Sequence, residues 1–256
     1  MKRVVMFSGG AGSWATARRV AERHGTDGLI LLFADTLIED EDLYRFLDEA
    51  AANVGGELVR VAEGRDPWQV FFDEKFLGNT RVDPCSRVLK RKFLRDWLDA
   101  NCDPADTVVY LGIDWSESHR FERAAKHWAP WTAEAPLCEP PYLLKAQILG
   151  DLELAGIAPP RLYDLGFAHN NCGGFCIKGG QAQFENLLRK FPERYAYHEQ
   201  REQELRDYLG KDVAILRDRR GGMTKPLTLR AFRERLEEAP SLFDSDEWGG
   251  CACFTP

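Results

Sequence analysis

Five short apolar runs, most of them followed by a stretch of helical periodicity, constrain this chain more than any other feature. Residues 3–7 (RVVMF), 28–34 (GLILLFA), 57–62 (ELVRVA) and 107–112 (TVVYLG) predict buried strands, and a fifth is expected within 131–138. Residues 13–24, 41–54, 86–100 and 117–128 read as the intervening helices. In 41–54 the apolar positions Leu43, Phe46, Leu47, Ala50, Ala51 and Val54 fall on one face. Strands that are apolar throughout, alternating with amphipathic helices, predict a doubly wound α/β fold. Its mostly parallel five-stranded sheet would be covered on both faces. After about residue 140 no further strand is expected. Residues 142–155 read as helical, Phe184, Leu187, Leu188 and Phe191 mark another helix, 195–209 a charged one, and Thr228 is placed to cap a short helix through 236. The expected division is an α/β domain over 1–165 and a mainly helical, cysteine-containing extension over 166–256.

Parallel sheets bind ligands beyond the carboxyl ends of their strands. There, between the first strand and the first helix, the chain reads Ser8-Gly9-Gly10-Ala11-Gly12-Ser13. Glycine lets the backbone approach a ligand, a helix start offers unpaired N–H groups and partial positive charge, and the two serines add hydroxyls. The combination suits a phosphate or sulfate. It also suits a tight turn with Ser13 as a cap. A P-loop is excluded by the missing lysine after the last glycine, and the spacing is not G-x-G-x-x-G.

Formal charge is −7, from 34 basic and 41 acidic residues, so the bulk surface does not attract a polyanion and nucleic acid would need a local basic patch. No apolar run reaches bilayer length and no secretion-signal pattern is present, so a cytoplasmic location without membrane contact is expected. In that compartment the seven cysteines favour metal, cluster or catalytic roles over disulfides. Cys172 and Cys176 form one glycine-flanked pair, Cys251 and Cys253 another, and four thiolates suit zinc or a [4Fe–4S] cluster. Cys251 and Cys253 also suit a redox pair. Cys102 and Cys138 read as structural, and His169 is a loop histidine that could ligate. The basic loop with Arg217, Arg219, Arg220 and Lys225 reads as solvated.

Several segments, in order, resemble one known group. "SGGAGS" is similar to the pyrophosphate loop of the PP-loop, or adenine nucleotide α-hydrolase-like, superfamily. "LLFADTLIEDEDLYRFLDEAA", "DPCSRVLKRKFLRDWL", "LGIDWSESHRFERA" and "RLYDLGFAHNNCGGFC" resemble successive segments of its phosphoadenylylsulfate (PAPS) reductase-like branch, and together the pieces span residues 3 to about 200. The resemblance implies a HUP-type sheet binding an adenine nucleotide or sulfonucleotide (PAPS, APS or ATP). Ser8, Gly9, Gly10, Gly12 and Ser13 would cradle the anion. Leu32, Phe33 and Ala34 would form the nucleoside wall, with Asp35 and Thr36 nearby and Gly112 against the base. Arg87, Lys90 and Arg120 would clamp the remaining charge, with Arg87 and Lys90 on one helical face and Arg123 beside Arg120. Cys85 is an alternative cluster ligand, although Ser86 stands where iron–sulfur members carry a tandem cysteine. Gly12 stands where many ATP-using members carry aspartate.

The implied reaction is thiol-dependent release of sulfite, with Cys253 as nucleophile and a thioredoxin-like electron donor. The ending "GGCACF" departs from the Glu-Cys-Gly-Leu-His-like ending of authentic reductases. The alternatives are an ATP-dependent sulfurtransferase of the tRNA-thiolation or DNA-phosphorothioation type, the one reading with a nucleic-acid partner, and a nucleotide-binding sensor without turnover.

Overall fold

The computed structural model describes residues 1–79 and 81–238. Cys251 and Cys253 lie outside them. Five parallel strands, β1 (Lys2–Met6), β2 (Leu29–Asp35), β3 (Glu57–Ala62), β4 (Thr107–Tyr110) and β5 (Thr132–Glu134), pair in the order β3-β2-β1-β4-β5. The expected α/β sheet is therefore present. Strand order runs outward from β1 to β3, then restarts on the other side of β1 with β4. This reversal opens a crevice between the carboxyl ends of β1 and β4, where open α/β sheets take their ligands.

Alternate strand residues go to opposite layers. Val5, Phe7, Leu31 and Phe33 pack under α1 (Ala11–His24) and α2 (Glu41–Val54), whereas Val4, Met6, Leu32 and Ala34 pack with Leu94, Leu98, Ala124 and Trp128 on the other face. Asp40 starts α2 by accepting from the Asp42 N–H at 3.1 Å, and Gly55 ends it in the left-handed region. The buried face of α2 is the predicted one: Leu43, Phe46, Leu47, Ala50, Ala51 and Val54.

Three features differ from the sequence expectations. A strand pair does occur after residue 140: β6 (Leu216–Asp218) and β7 (Lys225–Leu227) form an antiparallel hairpin. With three residues each and Pro226 in the second, neither strand carries an apolar run. A seven-residue helix, α3 (Pro67–Asp73), starts at Asp66 with a reciprocal cap to Gln69. The helix expected over 86–100 consists of α4 (Pro84–Ser86), a π-helical turn (Arg87–Lys92) and α5 (Phe93–Asn101). The wider winding of the π turn changes which residues share a face. Arg87 is consequently exposed and paired with Glu74 at 2.7 Å, while Lys90 is buried and faces Glu39 at 3.6 Å.

The remaining described helices are α6 (Ser118–Trp128), α7 (Lys145–Leu154), α8 (Arg161–Asp164), α9 (Gln181–Lys190), α10 (Pro192–Leu209) and α11 (Leu229–Glu238), the last capped by Thr228 Oγ1, which accepts from Ala231 N–H at 3.1 Å. None of the described helices is long and apolar enough to cross a membrane. A separate core cluster joins α3 to α9, α10 and α11.

Two buried titratable groups sit within or beside that cluster. The His198 ring stacks on Phe175 at 3.5 Å, and its Nδ1 accepts from Trp68 Nε1–H at 3.0 Å. Burial, and then Arg194, lowers its pKa from 6.5 to about 3. Glu202 accepts from the N–H groups of Ile215 (2.9 Å) and Leu229 (2.6 Å), tying α10 to β6 and α11. Burial outweighs those bonds and raises its pKa to about 7. His198 therefore contributes stability that is present above pH 6.5 and is lost as pH falls toward 3. The Glu202 contribution is present below 4.5 and is lost as pH rises through 7. Over pH 4.5–6.5 the two oppose one another. Below that window stability should fall by about 1.4 kcal/mol per pH unit from His198 alone. Urea midpoints measured across pH should show this acid limb, and His198→Phe should flatten it; an unchanged limb would refute the assignment.

Candidate functional site

The carboxyl ends of β1 and β4 open onto a cavity of about 200 Å³ lined by Ser8, Gly10, Ala11, Gly12 and Ser13 from the first loop and by Leu111, Gly112 and Ile113 beyond β4. Asp114, Glu117, Arg120, Lys145, Tyr163 and His169 complete its polar wall, and Met6 and Ile148 its apolar one. Gly9 takes a left-handed turn (φ +74°), and a Cβ there would stand 2.9 Å from Leu43 Cγ, so only glycine fits. Ser13 Oγ donates to Gly10 O at 2.7 Å and fixes the first turn of α1. Asn170 Nδ2 donates to Gly9 O at 2.8 Å from the far side of the loop. Among the described residues the Gly12 N–H and the Ser8 hydroxyl have no protein partner. Both remain available to a ligand oxygen.

The Tyr163 hydroxyl accepts from the Ala11 N–H at 3.2 Å, in the place an anion oxygen would take at this helix start. Removing that competitor should help a ligand. Tyr163→Phe is therefore expected to tighten anion binding about fivefold, corresponding to one ordinary hydrogen bond. Calorimetric titration checks this, and weaker binding would mean that the hydroxyl itself holds the ligand.

Cations meet the loop from two other elements. Arg120 of α6 enters the cavity while paired with Glu117. The Lys145 ammonium, at the start of α7, donates to Ala168 O at 2.6 Å and lies 4.4 Å from the centre of the Tyr163 ring. Lys145 is exposed at the cavity mouth, and partial enclosure by the surrounding walls lowers its pKa. His169 keeps a solvent-facing edge, yet enclosure in the cleft, and then the Lys145 and Arg120 charges, lower its pKa to about 4. It is uncharged at neutral pH and offers a polar nitrogen rather than a further cation.

Other expected site residues lie elsewhere. Phe33 is in the core under α2, because strand alternation turns it away from the crevice. Asp35 accepts from Leu37 N–H (2.8 Å) and from the Tyr44 hydroxyl (2.9 Å), outside the cavity lining. Arg87 points to Glu74 rather than the loop. Arg123 is exposed. His169 lines the first-loop cavity and not the cavity lined by the cysteines.

The cysteines converge one residue further along. Cys85, Cys172 and Cys176 line a second, smaller cavity of about 30 Å³ together with Thr36, Asp83, Lys90 and Lys178. The Cys172 N–H donates to Glu39, a carboxylate that also accepts from the Thr36 hydroxyl at 2.8 Å. Neighbouring Asp40 takes Arg161 at 2.7 Å and Arg194 at 3.3 Å. Two buried acids that follow β2 therefore fix the segment that runs from the first cavity into the second. Residues 168–171 line one, and 172 and 175–178 the other.

No protein-family model matches the chain, and no curated protein does. Solved structures do match. One is the predicted subunit of a tRNA methyltransferase from Methanocaldococcus jannaschii DSM, 16% identical over 62% of this chain and 90% of that chain, with a TM-score of 0.34. That likeness carries no reading of activity.

Proposed function

We propose that this chain is an adenine-nucleotide-dependent sulfur-transfer enzyme of the PP-loop, PAPS reductase-like type. The observation that carries the reading is the meeting of the Ser8–Ser13 loop, Gly112, Arg120 and Lys145 in one cavity at the sheet's switch point, with a thiol-lined cavity on the same continuous segment. The anionic end of the nucleotide would sit on the loop N–H groups, and the nucleoside against Met6, Leu111, Gly112 and Ile113.

With PAPS or APS as substrate, a cysteine thiolate attacks the sulfuryl sulfur. The sulfur–oxygen bond to the phosphate breaks, and the nucleotide leaves with the electron pair. A second thiolate then attacks the Sγ of the sulfonated cysteine; the Sγ–sulfonate bond breaks, a disulfide forms and sulfite leaves with the electron pair. An external dithiol of the thioredoxin type restores the thiols. Arg120 and Lys145 neutralise charge gathering on the leaving phosphate. Cys253 remains the nucleophile proposed from the sequence. The absence of a carboxylate at position 12 favours this branch over ATP. Asp114 and Glu117 are carboxylates in the same cavity that would hold magnesium brought in with ATP; they favour the ATP-dependent branch, in which an acceptor oxygen would attack the α-phosphate, pyrophosphate would leave, and a sulfur nucleophile would then displace the adenylated oxygen.

A resident metal does not fit the described residues as they stand. Among them no group of three or more histidine, cysteine, aspartate or glutamate side chains is placed to hold a metal ion. The smaller cavity, at about 30 Å³, has room for one or two water-sized guests and not for a four-iron cube. Zinc or a cluster would need Cys251 and Cys253, and no step here is routed through either.

The test is to incubate anaerobically purified protein separately with PAPS, APS and ATP. Sulfite from PAPS or APS is the expected product. Pyrophosphate from ATP would select the second branch, and binding without turnover a sensor. If none of the three protects the protein against heat, the nucleotide reading falls.

A further inference from the structure

The described lining of the first-loop cavity is charge-balanced. Its cations are Arg120 and Lys145, and its carboxylates are Asp114 and Glu117. His169 is uncharged at neutral pH and does not change the balance. Arg120 and Lys145 are both engaged by the charge on the 5′ side of the nucleotide in the reaction given above. No other described residue of the lining is a cation that could meet a second phosphate elsewhere on the ligand.

Of the two carboxylates, Asp114 has an oxygen to spare. Glu117 is paired with Arg120. Asp114 Oδ1 caps the short turn Trp115–Glu117, accepting from the Ser116 N–H at 2.8 Å and from the Ser116 hydroxyl at 2.6 Å. Both bonds fall on Oδ1 and hold the side chain in place. Among the described residues Oδ2 receives no hydrogen bond, and it can take one from a ligand group that donates. The position along the chain fits the sugar. A Cβ on Gly112 would stand 3.5 Å from Ser13 N, in the first turn of α1, and Ile113 belongs to the apolar wall. Asp114 is the next residue out. A nucleotide with its anionic end on the loop and its base on that wall carries its ribose between the two, beside the segment that bears Asp114. Asp35, the carboxylate expected near the nucleoside, lies outside the lining. Ribose hydroxyls donate, whereas a phosphate monoester carries about −1.5 to −2 charges at pH 7 and offers acceptors. Nucleotide sites sort free from phosphorylated riboses by this difference: a carboxylate takes the hydroxyl, and an arginine stands nearby where the ribose carries phosphate.

We propose that Asp114 is a specificity-determining residue, whose carboxylate accepts from a free ribose hydroxyl and excludes nucleotides phosphorylated on the ribose. The inference rests on the sulfonucleotide reading of this cavity and narrows it. The substrate is APS, and PAPS, which adds a 3′-phosphate, is set aside.

The test is calorimetric titration of the whole protein, in chelator, with the two leaving nucleotides: AMP from APS, and adenosine 3′,5′-bisphosphate from PAPS. AMP should bind roughly tenfold tighter or more, since the added phosphate meets a like charge. Asp114→Asn keeps a cap for Ser116 and removes the charge. It should weaken AMP, strengthen the bisphosphate and bring the two to within about threefold. The 2′- and 3′-deoxy forms of AMP give a readout that a merely structural change would not move. One of them should bind the native protein about tenfold more weakly than AMP, and bind Asp114→Asn about as well as AMP does. Sulfite should appear faster from APS than from PAPS. Bisphosphate binding as tight as AMP, an AMP preference that Asp114→Asn leaves intact, or a native protein indifferent to both deoxy forms would overturn the proposal while the nucleotide reading stands. An effect of Asp114→Asn confined to ATP titrated with magnesium would make the carboxylate a metal ligand and overturn it as well. If neither AMP nor the bisphosphate binds, the nucleotide reading itself falls and this inference with it.

Discussion

Gly12→Asp is expected to abolish protection by PAPS, APS and magnesium-free ATP at concentrations that protect the native chain, and to leave the unliganded fold intact. A Cβ at position 12 would meet nothing nearer than Gly112 O at 4.0 Å, so the carboxylate enters open space at the cavity. A negative charge in the first turn of α1 is itself compatible with the helix dipole. The same charge would stand within a few ångströms of a bound phosphate. At about 5 Å and an effective dielectric near 20, like charges repel by about 3 kcal/mol, which is more than a hundredfold in affinity. Magnesium supplied with ATP should recover part of the loss, since the new carboxylate and the phosphates could share the ion. Calorimetric titration in chelator and then in magnesium separates the two. Unchanged affinity in chelator would show that the anion does not lie on this loop.

The sheet was legible because a parallel strand buried on both faces must be apolar throughout. Residues 3–7 and 28–34 leave no competing reading. The α3 helix was missed because its run is short, although its Asp66-Pro67-Trp68-Gln69 cap is a helix-start signal. The β6–β7 hairpin carried no signal, since Arg217, Asp218, Lys225 and Pro226 give neither alternation nor an apolar run. Among the cavity-lining residues, the loop glycines were readable from local chemistry at a strand end, whereas Gly112 and Arg120 were readable only through the resemblance. Phe33 and Asp35 depend on which layer an alternating strand assigns them to, and on Tyr44 reaching Asp35. The divergence of Arg87 and Lys90 depends on a π turn that no residue type announces. Tyr163, Lys145 and Asn170 reach the first loop from more than a hundred residues away in the chain. Only tertiary packing brings them there; the segment with Tyr163 and Asn170 carries the resemblance but no local sign that it meets the first loop, and Lys145 carries neither.

Removing the Glu39 carboxylate should cost about 3–5 kcal/mol, because it takes one member from a buried ion pair. The Glu39 and Lys90 side chains are 1% and 4% exposed and stand 3.6 Å apart. Glu39 also receives the Thr36 hydroxyl and the Cys172 N–H, so one carboxylate holds the end of β2, the π turn and the cysteine segment together. Glu39→Ala should lower the urea midpoint sharply, and the sites on either side of residue 172 should loosen with it. The double variant Glu39→Gln, Lys90→Met should recover much of the stability, because no buried charge is left unpaired and the amide oxygen still accepts from Thr36 or Cys172. Its activity then decides what Lys90 does. Retained turnover in the refolded double variant would show that the Lys90 charge takes no part in the chemistry and serves only to pair Glu39. Turnover lost while nucleotide protection persists would place the Lys90 charge on the reacting sulfonate. A loss below about 1 kcal/mol in Glu39→Ala, the range of an exposed pair, would refute the network itself.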